Sequence, residues 1–195
     1  MDKAKVKKEL EEKGYVIIQN VLTAEEVKLA KELHEKWRGT IKNHDSIHNS
    51  IDPHGIYKFL EAGQTRYSWV IRTNPKVQEI FKYLWDCEKL ISSFDGSCYI
   101  PKDLKKRDNI WTHTDQAPNS DGLKCYQGLV ALTDNKERTL VVYEGTHKVH
   151  KKYFETKGIK SSKNWHLIDH DTLKDLDTAG FKKVLDIKAG SLVLW

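Results

Sequence analysis

The strongest constraint on this chain is a change of hydrophobic period near Leu90. From there on, apolar residues come in short β-branched or aromatic runs at 90–93, 97–100, 110–113, 126–133, 139–143, 183–187 and 191–195. Turn signals at Asp95-Gly96, Asp134-Asn135 and Ala189-Gly190 punctuate them. Short strands at this spacing, without regular helices between them, predict an antiparallel barrel or jelly roll, since each strand must find its partner across a turn. Only residues 148–180 interrupt the series, as a polar insertion with a helical turn or two.

The first part of the chain follows a different rule. Residues 1–14 form a Lys/Glu-rich helical pattern, and the β-branched run at 15–18 reads as a strand after it. Thr23 and Glu26 have capping-box spacing at the head of a helix over 23–41, whose apolar face is Val27, Ala30, Leu33 and Trp37. Asn74-Pro75 supplies an N-cap and a proline at the first helical position; Val77, Ile80, Phe81, Leu84 and Trp85 follow at helical spacing, to an end near Asp86. Residues 44–55, with three His, two Asp and a Pro, are too irregular for a regular element and read as a loop or lid.

Composition narrows the class. A length of 195 residues with 38% hydrophobic content supports one domain. That domain divides into a helical part, 1–89, packed on a β core, 90–195. No apolar run approaches the roughly 18–20 residues that span a bilayer. The N-terminus lacks the apolar stretch of a secretory signal. Three cysteines (Cys87, Cys98, Cys125) without CxxC spacing suit a reducing, cytoplasmic setting and read as buried small hydrophobes. The net charge of +5 comes with lysine clusters at Lys102, Lys105, Lys106 and at Lys148, Lys151, Lys152, Lys157, Lys160, Lys163. These read first as a solvated face, because no aromatic stacking platforms interleave them.

The sharpest chemical feature is Trp111-Thr112-His113-Thr114-Asp115-Gln116 at a strand end. Strand residues i and i+2 share a face, so the His113 imidazole and the Asp115 carboxylate can converge on one metal ion. Such a pair is two thirds of the two-His, one-carboxylate triad of non-haem iron(II) sites. The spacing alone is equally compatible with a surface His/Asp pair. His147 with His150, and His166 with His170, could each share a helix face and hold a metal, or be ordinary surface histidines. No GxSxG elbow, phosphate loop or dinucleotide fingerprint is present.

Taken in order, the motifs resemble the phytanoyl-CoA dioxygenase (PhyH-like) family of iron(II)/2-oxoglutarate oxygenases. Lys13-Gly14-Tyr15-Val16-Ile17-Ile18 with Val21-Leu22-Thr23-Ala24-Glu25-Glu26-Val27 is similar to the family's opening. Trp111 to Gln116 resembles its W-H-x-D-Q region, and Gln127-Gly128-Leu129-Val130-Ala131-Leu132-Thr133-Asp134 the strand that follows. Leu140-Val141-Val142-Tyr143-Glu144-Gly145-Thr146-His147 is similar to L-x-V-x-P-G-S-H, with Glu144 in place of proline, and Ala189-Gly190-Ser191-Leu192-Val193-Leu194-Trp195 to a-G-D-L-V-L-W.

The resemblance implies a mainly β chain with N-terminal helices (α+β), its core a double-stranded β-helix of jelly-roll, cupin-like form. It implies Fe(II) on His113 and Asp115, with 2-oxoglutarate and O2 as co-substrates in the hydroxylation of an unactivated carbon. Tyr99 and Gln127 are its candidate cofactor contacts; Trp111, Gln116 and Tyr126 are candidate substrate contacts. His147 reads as a structural residue at the pocket edge. The family's distal His and its 2-oxoglutarate-binding Arg would lie beyond Trp195, so the expectation is a fragment lacking its C-terminal strand or strands and inactive alone, whose apolar terminal strand is left as an unclosed edge. Lysine-rich edges suggest an anionic or CoA-linked small-molecule substrate. The competing readings are a non-catalytic binding module of the same fold and a basic nucleic-acid-binding jelly roll.

Overall fold

The computed structural model of the protein describes residues 2–42, 54–93, 96–101 and 111–195. Helix α1 (Lys3–Lys13) starts where the Asp2 carboxylate accepts the Lys5 N–H and ends at Gly14. That glycine has φ +85°, and a β-carbon there would come 2.5 Å from Nδ1 of His147. Only glycine meets both demands, and it turns the chain into β1 (Val16–Ile18).

Helix α2 (Ala24–Arg38) carries the predicted reciprocal capping box between Thr23 and Glu26. The other oxygen of Glu26 accepts from the Asn74 amide at 2.8 Å, so the cap also ties α2 to the head of a later helix. After β2 (Ile56–Tyr57) comes α3 (Arg66–Arg72), which the sequence reading did not anticipate, and then α4 (Pro75–Trp85). Asn74 caps α4, and Asp86 ends it in the left-handed region.

The strands that follow are short. They are β3 (Ser97–Cys98), β4 (His113–Thr114), β5 (Gly128–Val130), β6 (Val141–Tyr143), β7 (His166–Leu167), β8 (Lys182–Val184) and β9 (Leu192–Leu194). Two helices, α5 (His150–Lys157) and α6 (His170–Thr178), flank β7. All pairing is antiparallel: one sheet in the order β1-β9-β5, and the pairs β2-β3, β4-β7 and β6-β8. No closed barrel forms among the described residues.

The core lies on both faces of the β1-β9-β5 sheet, as strand alternation requires. Val16, Ile18, Leu192 and Leu194 pack against Val6 and Leu10 of α1 and Val77, Ile80 and Leu84 of α4. On the opposite face Val193, with Ile17 and Leu129, packs against Leu185, Ile187, Leu140 and Val142, beneath the β6-β8 pair. A third cluster, Tyr57 and Ala62 with Trp37, Phe59 and Tyr99, joins α2 to β2 and β3.

Several expectations need correction. The terminal strand is no open edge: β9 is the middle strand, Val193 and Leu194 are 0% exposed, and Trp195 exchanges backbone hydrogen bonds with Gln127. Residues 90–93 form no strand, and Ile91 is fully exposed. Cys87, Cys98 and Cys125 are exposed rather than buried. The polar stretch at 148–180 is two capped helices and a strand. The turn residue Asp95, the cluster Lys102, Lys105 and Lys106, and all of the 44–55 loop except His54 and Gly55 lie outside the described residues. No helix among the described residues is long and apolar enough to cross a membrane.

Candidate functional site

Strand β4 and the bend after it bring His113 and Asp115 together. His113 Nε2 lies 3.4 Å from Asp115 Oδ1. Its Nδ1 is 2.7 Å from the Trp111 carbonyl oxygen. A carbonyl only accepts, so Nδ1 carries a proton; protonated at Nε2 as well, the ring donates to the Asp115 carboxylate, and a metal ion bound there would displace that proton. Two donor atoms about 2.1 Å from one ion and at right angles stand about 3 Å apart, close to the spacing seen here. An Nδ1–H bond to a backbone carbonyl is also the usual means of fixing a metal-binding imidazole.

The electrostatics reinforce the pair. The Asp115 carboxylate, helped by the Trp111 carbonyl, raises the His113 pKa against the opposing effect of burial. His113 holds the Asp115 carboxyl below its usual range, with the Gln127 side chain and, more distantly, Lys58 acting the same way. Gln127 therefore acts on Asp115. Its neighbour Tyr126 points to the other side of the strand, packing on the α1/α4 core and lying 5.0 Å from the Trp85 ring.

The other predicted site residues separate. Trp111 belongs to the site, its ring 4.7 Å from that of His113 and stacked at 3.9 Å on His54. Gln116 is a loop anchor: its amide donates to the carbonyls of Ser120 and Gly122. The Gln116 carbonyl in turn accepts from His150 Nε2 at 3.2 Å. Tyr99 sits in the third cluster, where the Arg38 guanidinium stacks on its ring at 3.9 Å.

Neither histidine pair belongs to a group able to hold a metal among the described residues. His147 donates to the Glu11 carbonyl as a tie between α1 and the turn before α5, in keeping with a structural role. His166 lies on β7 and His170 on α6. Among the described residues, no third His, Cys, Asp or Glu joins His113 and Asp115 in a group able to hold a metal.

Sequence reasoning missed the partner strand. β7 pairs with β4 in the register His113↔Leu167 and Thr114↔His166. This puts Trp165 against His113, ring centroids 5.3 Å apart and planes 31° from parallel. The signal was the alternation in Trp165-His166-Leu167-Ile168, set inside a stretch otherwise read as polar insertion.

Over an alignment of 217 residues the chain is 26% identical to Ava biosynthesis cluster protein O of Aspergillus versicolor, covering 96% of this chain and 68% of that protein. The chain is similar to a protein of a biosynthetic cluster. No protein-family profile matches it. The similarity spans both the helical part and the strands, so the His113/Asp115 segment lies within a chain-long relationship rather than an isolated motif.

Proposed function

We propose that this chain is a biosynthetic tailoring enzyme of the iron(II)/2-oxoglutarate oxygenase type, hydroxylating an unactivated carbon of a small molecule. The observation that carries the reading is the His113 Nε2 to Asp115 Oδ1 approach of 3.4 Å, with Nδ1 tied back to the Trp111 carbonyl. Similarity to a biosynthetic-cluster protein supports the tailoring role. On the same reading, the small antiparallel sheets are parts of a double-stranded β-helix.

The donor set fits two adjacent positions on one divalent ion. His113 would bind through Nε2 and Asp115 through Oδ1, while Gln127 steadies the carboxylate. Iron(II) held there supplies the activation of dioxygen, with 2-oxoglutarate as the co-reductant. The protein's own work is to fix the imidazole, orient the carboxylate and place an apolar wall of Trp111 and Trp165 beside them.

Anaerobic titration with Fe(II) and 2-oxoglutarate tests this. One equivalent of metal should bind, and His113→Ala or Asp115→Ala should weaken binding at least about tenfold. Equal metal binding by the double variant would sink the reading. One observation favours a second reading, a non-catalytic module of the same fold: no third ligand stands beside the pair among the described residues. That reading predicts no succinate under any metal loading.

A further inference from the structure

The ribbon formed by β4 and β7 has two faces of opposite character. On one, His166 packs edge-on against the buried ring of Phe154, 5.0 Å away, and His150 meets the same ring from α5. That face belongs to the interior. Residues directly opposite each other in an antiparallel ladder share a face, so Leu167 lies on the side of its partner His113. Two residues along each strand, Trp165 and Trp111 lie on that side too, and their rings flank the imidazole at 5.3 and 4.7 Å.

Trp165 is 46% exposed and Leu167 48% exposed. Neither belongs to a core cluster. Trp165 also has φ +153°, a region seldom occupied by residues with a β-carbon, and its N–H turns back to the Lys163 carbonyl at 3.0 Å. A strained backbone presenting a half-exposed indole beside two charge-bearing donors is costly unless something uses it. Propensity and core packing both leave this arrangement unexplained.

We infer that Trp165 and Leu167 form the substrate platform of the site, seating a flat, uncharged ring system beside the His113/Asp115 pair. This rests on the proposed function and supplies its substrate class. The rings of His54, Trp111, His113 and Trp165 already form a series of ring contacts, with planes 16° to 37° apart between neighbours. A planar ligand lies along the exposed part of the Trp165 indole on the His113 side of the ribbon, with Leu167 at its edge. Stacking on an indole selects planar over puckered rings of equal size.

Indole and cyclohexanol serve as probes against the full chain labelled with 5-fluorotryptophan. Its six tryptophans give resolvable fluorine signals, of which Trp165 and Trp111 are assigned through Trp165→Phe and Trp111→Phe. Indole should shift the Trp165 signal first and saturably, in a range on the order of 1 mM, with cyclohexanol at least about fivefold weaker. Ligand-observed saturation transfer should show indole binding reduced about tenfold in Trp165→Ala, about threefold in Leu167→Ala, and retained in Trp165→Phe. Equal binding by wild type and Trp165→Ala, or no preference for indole over cyclohexanol, would overturn the platform.

Mn(II) separates this inference from the metal reading. If His113 and Asp115 bind metal, the paramagnetic ion broadens the Trp111 and Trp165 signals first, and not in the His113→Ala/Asp115→Ala variant. Broadening without an indole response overturns the platform alone. An indole response without broadening removes the metal reading and leaves the platform standing as a binding site.

Discussion

The β1-β9-β5 sheet and the β4-β7 ribbon are built from strands of similar shortness, yet they do opposite things with their side chains. In the sheet, both faces of β9 are sealed, by α1 and α4 on one side and by the cluster under β6-β8 on the other. In the ribbon, one face is sealed by Phe154, and the other displays His113, Asp115, Trp111, Trp165 and Leu167 to solvent in varying degree. The sheet concentrates buried apolar area, the dominant favourable contribution to folding. The ribbon leaves apolar and charged groups half-covered, as a surface that must receive a ligand does.

That contrast predicts a sharp division of mutational effects. The largest should come from Leu194→Ala, which removes a fully buried side chain from between α1 and α4. A loss of about 2–5 kcal/mol is expected. Urea denaturation would show it as a lowered midpoint at unchanged slope.

Next is Gly190→Ala. Gly190 has φ +82°, and a β-carbon there would lie 2.8 Å from the Leu22 carbonyl oxygen, an atom held in place because that residue's N–H donates to the Gly190 carbonyl. The turn that launches β9 would have to shift, at about 1–3 kcal/mol. A measured change below about 0.5 kcal/mol would mean that β9 enters the sheet by a different turn.

Thr23→Ala should cost about 1 kcal/mol by removing half of the α2 capping box. This element was fully legible beforehand, because capping is a local relation between residues three apart. The same holds for the Asn74-Pro75 start of α4, where cap and proline are adjacent residues; Gly14 is legible only in part, since its close approach to His147 is non-local. The pairing of β9 between β1 and β5 was not legible, since it joins β9 to residues 174–178 positions away in β1 and 62–66 away in β5, and no local pattern specifies a non-local partner.

The site divides along the same line. His113 and Asp115 were visible because their convergence follows from strand alternation within three residues. Trp165 and Leu167 come from a segment whose lysines and aspartates masked a two-residue strand. Tyr99 was misplaced because strand membership says nothing about which cluster a strand joins; it packs with Arg38 and Trp37.

A smaller, pH-dependent effect should appear in α6. The Asp169 carboxylate caps that helix, accepting from the backbone N–H and hydroxyl of Thr172, and these bonds hold its carboxyl far below the usual range. A carboxyl depressed in the folded state stabilises above its unfolded pKa of about 3.9, and the contribution is lost as pH falls below that value. Asp169→Ala should therefore lower the unfolding free energy measured in urea at pH 7 by up to about 1 kcal/mol, and by less at pH 3. An equal reduction at both pH values would show that the carboxylate charge plays no part.

The smallest stability effect should fall on the pair the chemistry depends on. Asp115 is 41% exposed at its side chain, and a partly solvated His/Asp pair contributes about 0–1 kcal/mol. His113→Ala and Asp115→Ala should thus unfold within about 1 kcal/mol of wild type, while losing metal affinity about tenfold or more. The two measurements must separate for the contrast between sheet and ribbon to hold. If Asp115→Ala instead destabilises as strongly as Leu194→Ala, the carboxylate is a structural keystone of the loop that Gln116 anchors to Ser120 and Gly122. Its approach to His113 would then reflect packing rather than a site kept open for a ligand.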